Sequence, residues 1–286
     1  MAKATKSTDT QKFKMGWLPD IPDARDYPYA APLKVMQSLP AKIDLRKLCP
    51  VVYDQGGLGS CTANAMGAAF QVAQVIQKKI TWMPSRLFLY YNSRVPIHTE
   101  NADSGAFIRD VVKTLNQAGV CKESDWTYDD NSDPGSKFTK KPPASCYQQA
   151  LANQILTYQR LQNNLTILQG CLAEGYPFTF GFTVYDSFMT AKVKTTGIMP
   201  MPDIATERVI GGHAVLGIGF DNSKQAFLIR NSWGKSWGIA GYFWMPYAYI
   251  TSKLAADFWT VRTIEGQPAA KKVAAKKAAT KKGKKP

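Results

Sequence analysis

The chain is 286 residues long, with 36 Lys and Arg against 21 Asp and Glu, a formal charge of +15, and it is 45% apolar and 12% aromatic. That length admits one large domain or two modest ones, and the composition excludes a miniature stapled scaffold, a collagen-like or coiled-coil rod and a wholly disordered chain. The charge excess gathers at the ends, eight lysines standing among the last sixteen residues, so the basicity says little about the body.

Residues 1–15 are polar and place Lys3, Lys6, Lys12 and Lys14 where a signal peptide would put its apolar run. They read as a flexible basic arm. No stretch approaches the roughly 18 consecutive apolar residues that cross a bilayer, so a soluble chain without signal peptide or membrane partner is expected. Residues 16–38 form a proline-rich N-terminal extension whose prolines forbid a helix but suit an extended strap.

From Cys61 to about Lys79 the pattern is helical, with Met66, Phe70, Ala73 and Ile76 on one stripe. A second helix is predicted after Ser104 as N-cap, carrying Phe107, Ile108, Val111, Val112 and Leu115 until Gly119 ends it. A third spans Asn164 to Glu174, closed by Gly175 and Pro177. Beyond Pro177 the texture changes to short β-branched and aromatic runs: PFTFGFTVY, HAVLGIGF, AFLIRNSW, GYFWMPYAY and FWTVR. Helices first and strands second predict an α+β protein of two packed lobes, 39–160 helical and 161–263 β-rich, with a ligand site in the cleft between them. Residues 264–286 read as a disordered Lys/Ala-rich tail.

Cys49, Cys61, Cys121, Cys146 and Cys171 form no CxxC pair and share no metal-ligand spacing with the two histidines, so neither metal nor cofactor is expected. An odd number leaves one thiol free, and a reducing compartment is favoured, with one or two disulfides among the other four left open.

Two segments carry chemistry. In DQGGLGSCTA, residues 54–63, a glycine-rich turn delivers Cys61 to the first position of a helix, where unpaired N–H groups and the helix dipole favour a thiolate. A small residue at a helix start can equally be packing. The second segment is Gly211-Gly212-His213-Ala214, opening a hairpin whose turn is read as Asp221 to Lys224. Pairing Phe220 with Gln225 would put His213 opposite Ser232, with Asn231 one place away and able to orient the imidazole if the strands end in a bulge or bend. Trp233 follows directly, placed to cover a His–Asn hydrogen bond from water.

In motif order and content the chain resembles the papain-like cysteine peptidases: Gln55, then GSC ending at Cys61, GGHAV at His213, NSWG at Asn231, with WG at Trp237 and GY at Gly241. Flanking matches are LPAKIDLR over 39–46, PSRLFLYYNSR over 84–94 and SGAFIRDVVKTLNQAGVCKESDWTY from Ser104. The resemblance covers about 39–262 and implies a helical left lobe and an antiparallel β-barrel-like right lobe. It further implies that Cys61 is the nucleophile, His213 its base and acid, Asn231 the residue orienting that histidine, and Gln55 the side-chain donor to the oxyanion. Trp233 then corresponds to the shielding indole, and Ser104, Gly105 and Gly212 line the substrate-binding wall.

The chain departs from many relatives at Leu58, where they carry a disulfide cysteine, at Thr62 after the nucleophile, and at Gly212 before the histidine. GSCTA and the GWLPDIPDARDYPY strap look more like the bacterial and viral branch. The expected function is therefore a monomeric endopeptidase acting on polypeptides, located in cytoplasm, nucleus or a virion. The alternatives are a catalytically silent binding protein on the same fold and a nucleic-acid-associated aminopeptidase. The strap either lies permanently on the lobes or covers the cleft. The basic tail, with Lys271 at its start and Lys285 near its end, solubilises the chain or binds nucleic acid or another polyanion.

Overall fold

The computed structural model describes residues 13–269; the first twelve residues of the expected basic arm and residues 270–286 of the expected tail lie outside it, whereas residues 264–269 of that tail are ordered, Ile80 N–H donating to the Gln267 carbonyl at 2.9 Å and Ala269 N–H to the Lys78 carbonyl at 2.8 Å. Phe13 is buried, so packed chain lies inside the stretch 1–15 read as a flexible arm. Strand β1 (Trp17–Leu18) pairs in parallel with β3 (Ala106–Phe107). The strap then runs along β4 (Ile155–Leu161), where Tyr29 N–H donates to the Arg160 carbonyl at 2.8 Å and Arg160 N–H to the Tyr27 carbonyl at 2.7 Å. A short helix, α1 (Leu33–Met36), and strand β2 (Lys42–Asp44) bring it onto the body.

Helix α2 (Cys61–Ile76) is the axis of the helical side and is buried over nearly its whole circumference, as a stripe of Ala and Gly with Met66 and Phe70 permits. It packs on α3 (Arg86–Arg94), on α4 (Ile108–Gln117) and on the sheet. Its last helical residue is Ile76, three short of the expected Lys79. Ser104 is not the cap of α4: β3 intervenes, Phe107 holds the N-cap position without a side-chain bond, and the helix ends before Gly119 at φ +71°. Helix α5 (Ala144–Ala150) completes this lobe. Helix α6 (Leu165–Ala173) follows the sequence closely: Asn164 Oδ1 accepts the N–H groups of Thr166 and Ile167, and Gly175 turns the chain at φ +87°.

The β-rich side is a seven-stranded sheet of order β4, β9 (Ala255–Ile264), β5 (Phe178–Tyr185), β6 (Val209–Asp221), β7 (Ala226–Arg230), β8 (Tyr242–Pro246), with β2 pairing β6 beside that path. It does not close, so the barrel-like expectation describes a curved open sheet. Short helices α7 (Ala191–Thr196) and α8 (Tyr247–Ile250) pack at its rim. One apolar cluster lies between α2, α3, α4 and the sheet, and another is built of Phe178, Phe180, Phe182, Phe188, Phe243 and Phe258 on the sheet's other face. No described helix is long and apolar enough to cross a membrane.

Candidate active site

The loop before α2 is zipped to the segment after β7. Gln55 N–H donates to the Ser232 carbonyl at 2.8 Å and Gly234 N–H to the Tyr53 carbonyl at 2.9 Å. Gly56 sits at φ +55°, and a Cβ there would stand 1.7 Å from an Asp130 oxygen, so only glycine fits. Both Asp103 carboxylate oxygens accept Gly59 N–H at 3.1 Å. Arg86 braces the loop from beneath, donating to the Asp54 carbonyl at 3.1 Å and to Glu123 at 2.8 Å.

These ties deliver Cys61 to the first position of α2, fully buried. The backbone N–H groups of Ala214, Gly16, Thr62 and Cys61 itself favour its thiolate. Burial outweighs them and pushes the thiol up to about 11. Ala214 matters for assembly, because it follows His213 on β6.

His213 Nε2 lies 2.8 Å from Asn231 Oδ1, and the same Oδ1 accepts Ser232 N–H at 2.9 Å. An oxygen that already accepts must accept again from the ring, so Nε2 carries the proton and Nδ1 presents its lone pair. Nδ1 is buried with no hydrogen-bond partner among the described residues. Trp233 stacks on the imidazole at 4.8 Å and 26°, and Phe182 meets it edge-on at 5.7 Å. Burial pushes the imidazole down to about 4, against the Asn231 hydrogen bond that favours its charged form.

The expected hairpin register is corrected by two positions. Asp221 pairs with Ala226 and Phe220 with Phe227, so the turn is Asn222 to Gln225, and a bulge between Gly217 and Gly219 then takes one of those two places back. His213 pairs with Phe182 of β5, and the His–Asn contact forms across the bulged, open end of the hairpin.

Gln55 is fully buried, and its amide is oriented from both ends. Ser232 Oγ donates to Oε1 at 2.6 Å, so Nε2 points the other way, donating to the Leu58 carbonyl at 3.1 Å and to the Lys14 carbonyl at 3.0 Å. Ser232 is a residue of the candidate site that sequence reasoning passes over: it stands between two singled-out residues, but its partner lies 177 residues away.

The strap fills the cleft. Phe13 stacks on Trp233 at 4.8 Å and 6°, and Lys14 pairs with Asp103 at 2.9 Å. Gly16 donates to the Gly212 carbonyl at 3.1 Å and accepts Ala106 N–H at 2.8 Å. The approach is close enough that a Cβ on Gly16 would lie 1.8 Å from the Gly59 carbonyl oxygen, and one on Gly105 would lie 2.3 Å from that of Gly16. Of the expected wall residues, Gly105 and Gly212 touch the strap, whereas Ser104 turns its hydroxyl to the Gly105 carbonyl. All five cysteines are free.

The papain family cysteine protease pattern matches residues 39–258. The chain belongs to the papain family of cysteine proteases. It is 38% identical over 283 residues to an uncharacterized peptidase C1-like protein of Acanthamoeba polyphaga mimivirus, covering 90% of this chain and 89% of that one. The crystal structure of xylellain, a cysteine protease from Xylella fastidiosa, superposes with a TM-score of 0.83 at 44% identity, covering 87% of this chain and 96% of that chain. A cathepsin B-like protein of Giardia intestinalis, CP2, is 26% identical over 225 residues, 72% of this chain and 69% of its own length. This papain-family protease is accordingly a hydrolase of polypeptides.

Proposed function

We propose that the protease is an endopeptidase in which Cys61 is the nucleophile, His213 the base and acid, Asn231 the residue that orients His213, and Gln55 the side-chain donor to the oxyanion. The observation that carries this reading is the buried His213–Asn231 bond, which leaves Nδ1 without a hydrogen-bond partner among the described residues, one residue from Ala214, whose N–H favours the Cys61 thiolate. Nδ1 takes the thiol proton, and the thiolate attacks the peptide carbonyl carbon. The oxyanion collects Gln55 Nε2–H and the Cys61 N–H, a position supported by the Lys14 carbonyl oxygen that now meets Nε2. The imidazolium then protonates the leaving amine, and water hydrolyses the thioester.

Endopeptidase activity is supported by the path of the strap, an extended chain with Phe13 and Trp17 seated on either side of the sulfur. Endopeptidase action requires the groove to admit a substrate's interior at both ends of that path. The strap holds the enzyme silent: with water excluded, the thiol is raised and the imidazole lowered, and the reacting pair stays neutral. Lifting it readmits water and permits the thiolate–imidazolium pair.

Incubation with an E-64-type epoxide tests the assignment: covalent mass addition to wild type and none to Cys61→Ala is expected, and an unlabelled wild type at every pH would overturn it. For the lysine-rich tail we propose polyanion binding by a monomer, on composition alone. Fluorescence anisotropy with DNA should show a steep salt dependence that disappears when residues 271–286 are deleted, and no binding at low salt removes the proposal.

A further inference from the structure

An oxyanion site built from the Gln55 side chain and the N–H of the Ser60–Cys61 peptide needs those two donors at a fixed spacing. The chain between them supplies little stiffness of its own, since three of the four residues from Gly56 to Gly59 are glycine. What spans the loop from one end to the other is a hydroxyl brought in from the connection between α4 and α5. Tyr128 O–H donates to the Gln55 carbonyl at 2.9 Å, and the same oxygen is hydrogen-bonded to Ser60 Oγ.

The sense of these bonds is fixed. The one proton of Tyr128 goes to Gln55, so the Ser60 hydroxyl donates to the Tyr128 oxygen. Ser60 Oγ in turn accepts from Asn64 Nδ2 at 2.9 Å, and Asn64 Oδ1 accepts from Arg86 at 3.2 Å. The chain therefore runs one way, from a guanidinium through Asn64, Ser60 and Tyr128 to the backbone of Gln55, an order in which each bond strengthens the next. Gln55, Ser60 and Asn64 are all buried.

The ring of Tyr128 is seated without help from its hydroxyl. The Arg86 guanidinium lies 3.9 Å from the ring centre, Tyr128 N–H donates to Glu123 Oε1 at 3.0 Å, and Glu123 accepts from Arg86 at 2.8 Å. A phenyl ring at this position keeps those contacts and loses only the tie across the loop.

We infer that Tyr128 is a positioning residue for acyl transfer: by tying Gln55 to Ser60, its hydroxyl sets the spacing of the two oxyanion donors. The inference rests on the oxyanion reading proposed above. A shift of about 1 Å in such a donor costs on the order of 10²-fold in rate.

The test compares two reactions of the same sulfur in the full chain. Hydrolysis of a blocked dipeptide coumarylamide passes through an oxyanion. Alkylation of Cys61 by iodoacetamide, read by peptide mass, does not, because the sulfur displaces iodide from a saturated carbon. Dividing kcat/KM by the second-order rate of alkylation cancels the fraction of chains that the strap covers, since both reagents meet the same open population. Tyr128→Phe should lower that ratio by about 10-fold or more, toward the roughly 10²-fold loss of a whole oxyanion donor, with the loss in kcat and KM little changed. Ser60→Ala keeps the Tyr128 bond to Gln55 and cuts the other arm, so it should lower the ratio by less. The two substitutions together should cost no more than Tyr128→Phe alone.

A peptide aldehyde supplies a readout without turnover: its hemithioacetal oxygen occupies the oxyanion position, so its affinity should weaken by the same factor as the ratio. A ratio unchanged in Tyr128→Phe, or in Ser60→Ala should the first variant not fold, overturns the positioning role, as does turnover that falls only in step with alkylation. A wild type that neither hydrolyses any coumarylamide nor takes up the alkyl group at Cys61 overturns the peptidase reading beneath it.

Discussion

Acid should hold the strap down rather than release it. Asp257 sits at about 6 when the strap is docked, raised first by burial and then by the charge of Asp20, with Asp20 N–H, Arg160 and the Trp17 indole pulling the other way. Asp20 is itself raised, by burial, against the Trp259 and Arg109 hydrogen bonds and the charges of Arg109 and Arg160. Asp26 is lowered despite its own burial because Arg109 and Arg160 both donate to it. Lifting the strap removes both the cover over Asp257 and Asp20 beside it, so its carboxyl should return toward the ordinary value near 4.

The docked state therefore binds the proton more tightly. Docking is strongest in acid and weakens as pH rises through about 6. A difference of about two pH units in that one group corresponds to as much as roughly 100-fold in the docking equilibrium between pH 4 and 7. The reacting pair adds little in that window, because exchanging a neutral Cys–His pair for its ion pair moves no net proton. The assay is the rate of Cys61 alkylation in wild type divided by that in Asp257→Asn, which cancels the intrinsic pH dependence of the thiol. Asparagine tolerates the positive φ at this position. The ratio should rise between pH 4.5 and 7.5 with a midpoint near 6; a flat or falling ratio would refute the reasoning.

Three further outcomes are expected. Gly16→Ala drives a methyl into the Gly59 carbonyl, so the strap should lift and Cys61 alkylation should accelerate by about 10-fold or more, given the 1–3 kcal/mol typical of overpacking. Ser232→Ala frees the Gln55 amide to turn, and in steady-state kinetics kcat should fall toward the roughly 10²-fold loss expected on removing an oxyanion donor, with KM little changed. Arg94→Leu strips donors from the buried carbonyls of Tyr90 at 2.9 Å and Phe138 at 2.6 Å and from Thr99, Glu100 and Ala102; denaturant melts should show a loss of about 3 kcal/mol or more.

The residues brought together in the candidate site were legible because each sits at a local signal: glycines before Cys61, a Gly–Gly step before His213, and an amide followed by an indole. The hairpin register was not, because β2 sets it. Lys42 pairs with Asp221, extending β6 by one residue past the expected turn, and the Ile43 carbonyl would stand 2.4 Å from a Cβ on Gly219, at the edge of the bulge. The pattern reading yields no helix over Arg86–Arg94, although Ser85 caps it through the Phe88 N–H. That segment is buried on most sides, so it lacks the polar face that makes a helix visible. Ser232, Asp257 and the docked strap rest on contacts between residues from about 90 to 240 positions apart, and no local pattern reports those.

Because the strap touches the machinery with backbone atoms at Lys14 and Gly16 and with ring systems at Phe13 and Trp17, it is a cast of the groove taken in polypeptide. A chemist wanting a blocker for this protease and not for its cousins could start from those few residues, keeping the bare glycine at the sulfur and the indole in its niche, and spend ingenuity only on making the piece resist digestion.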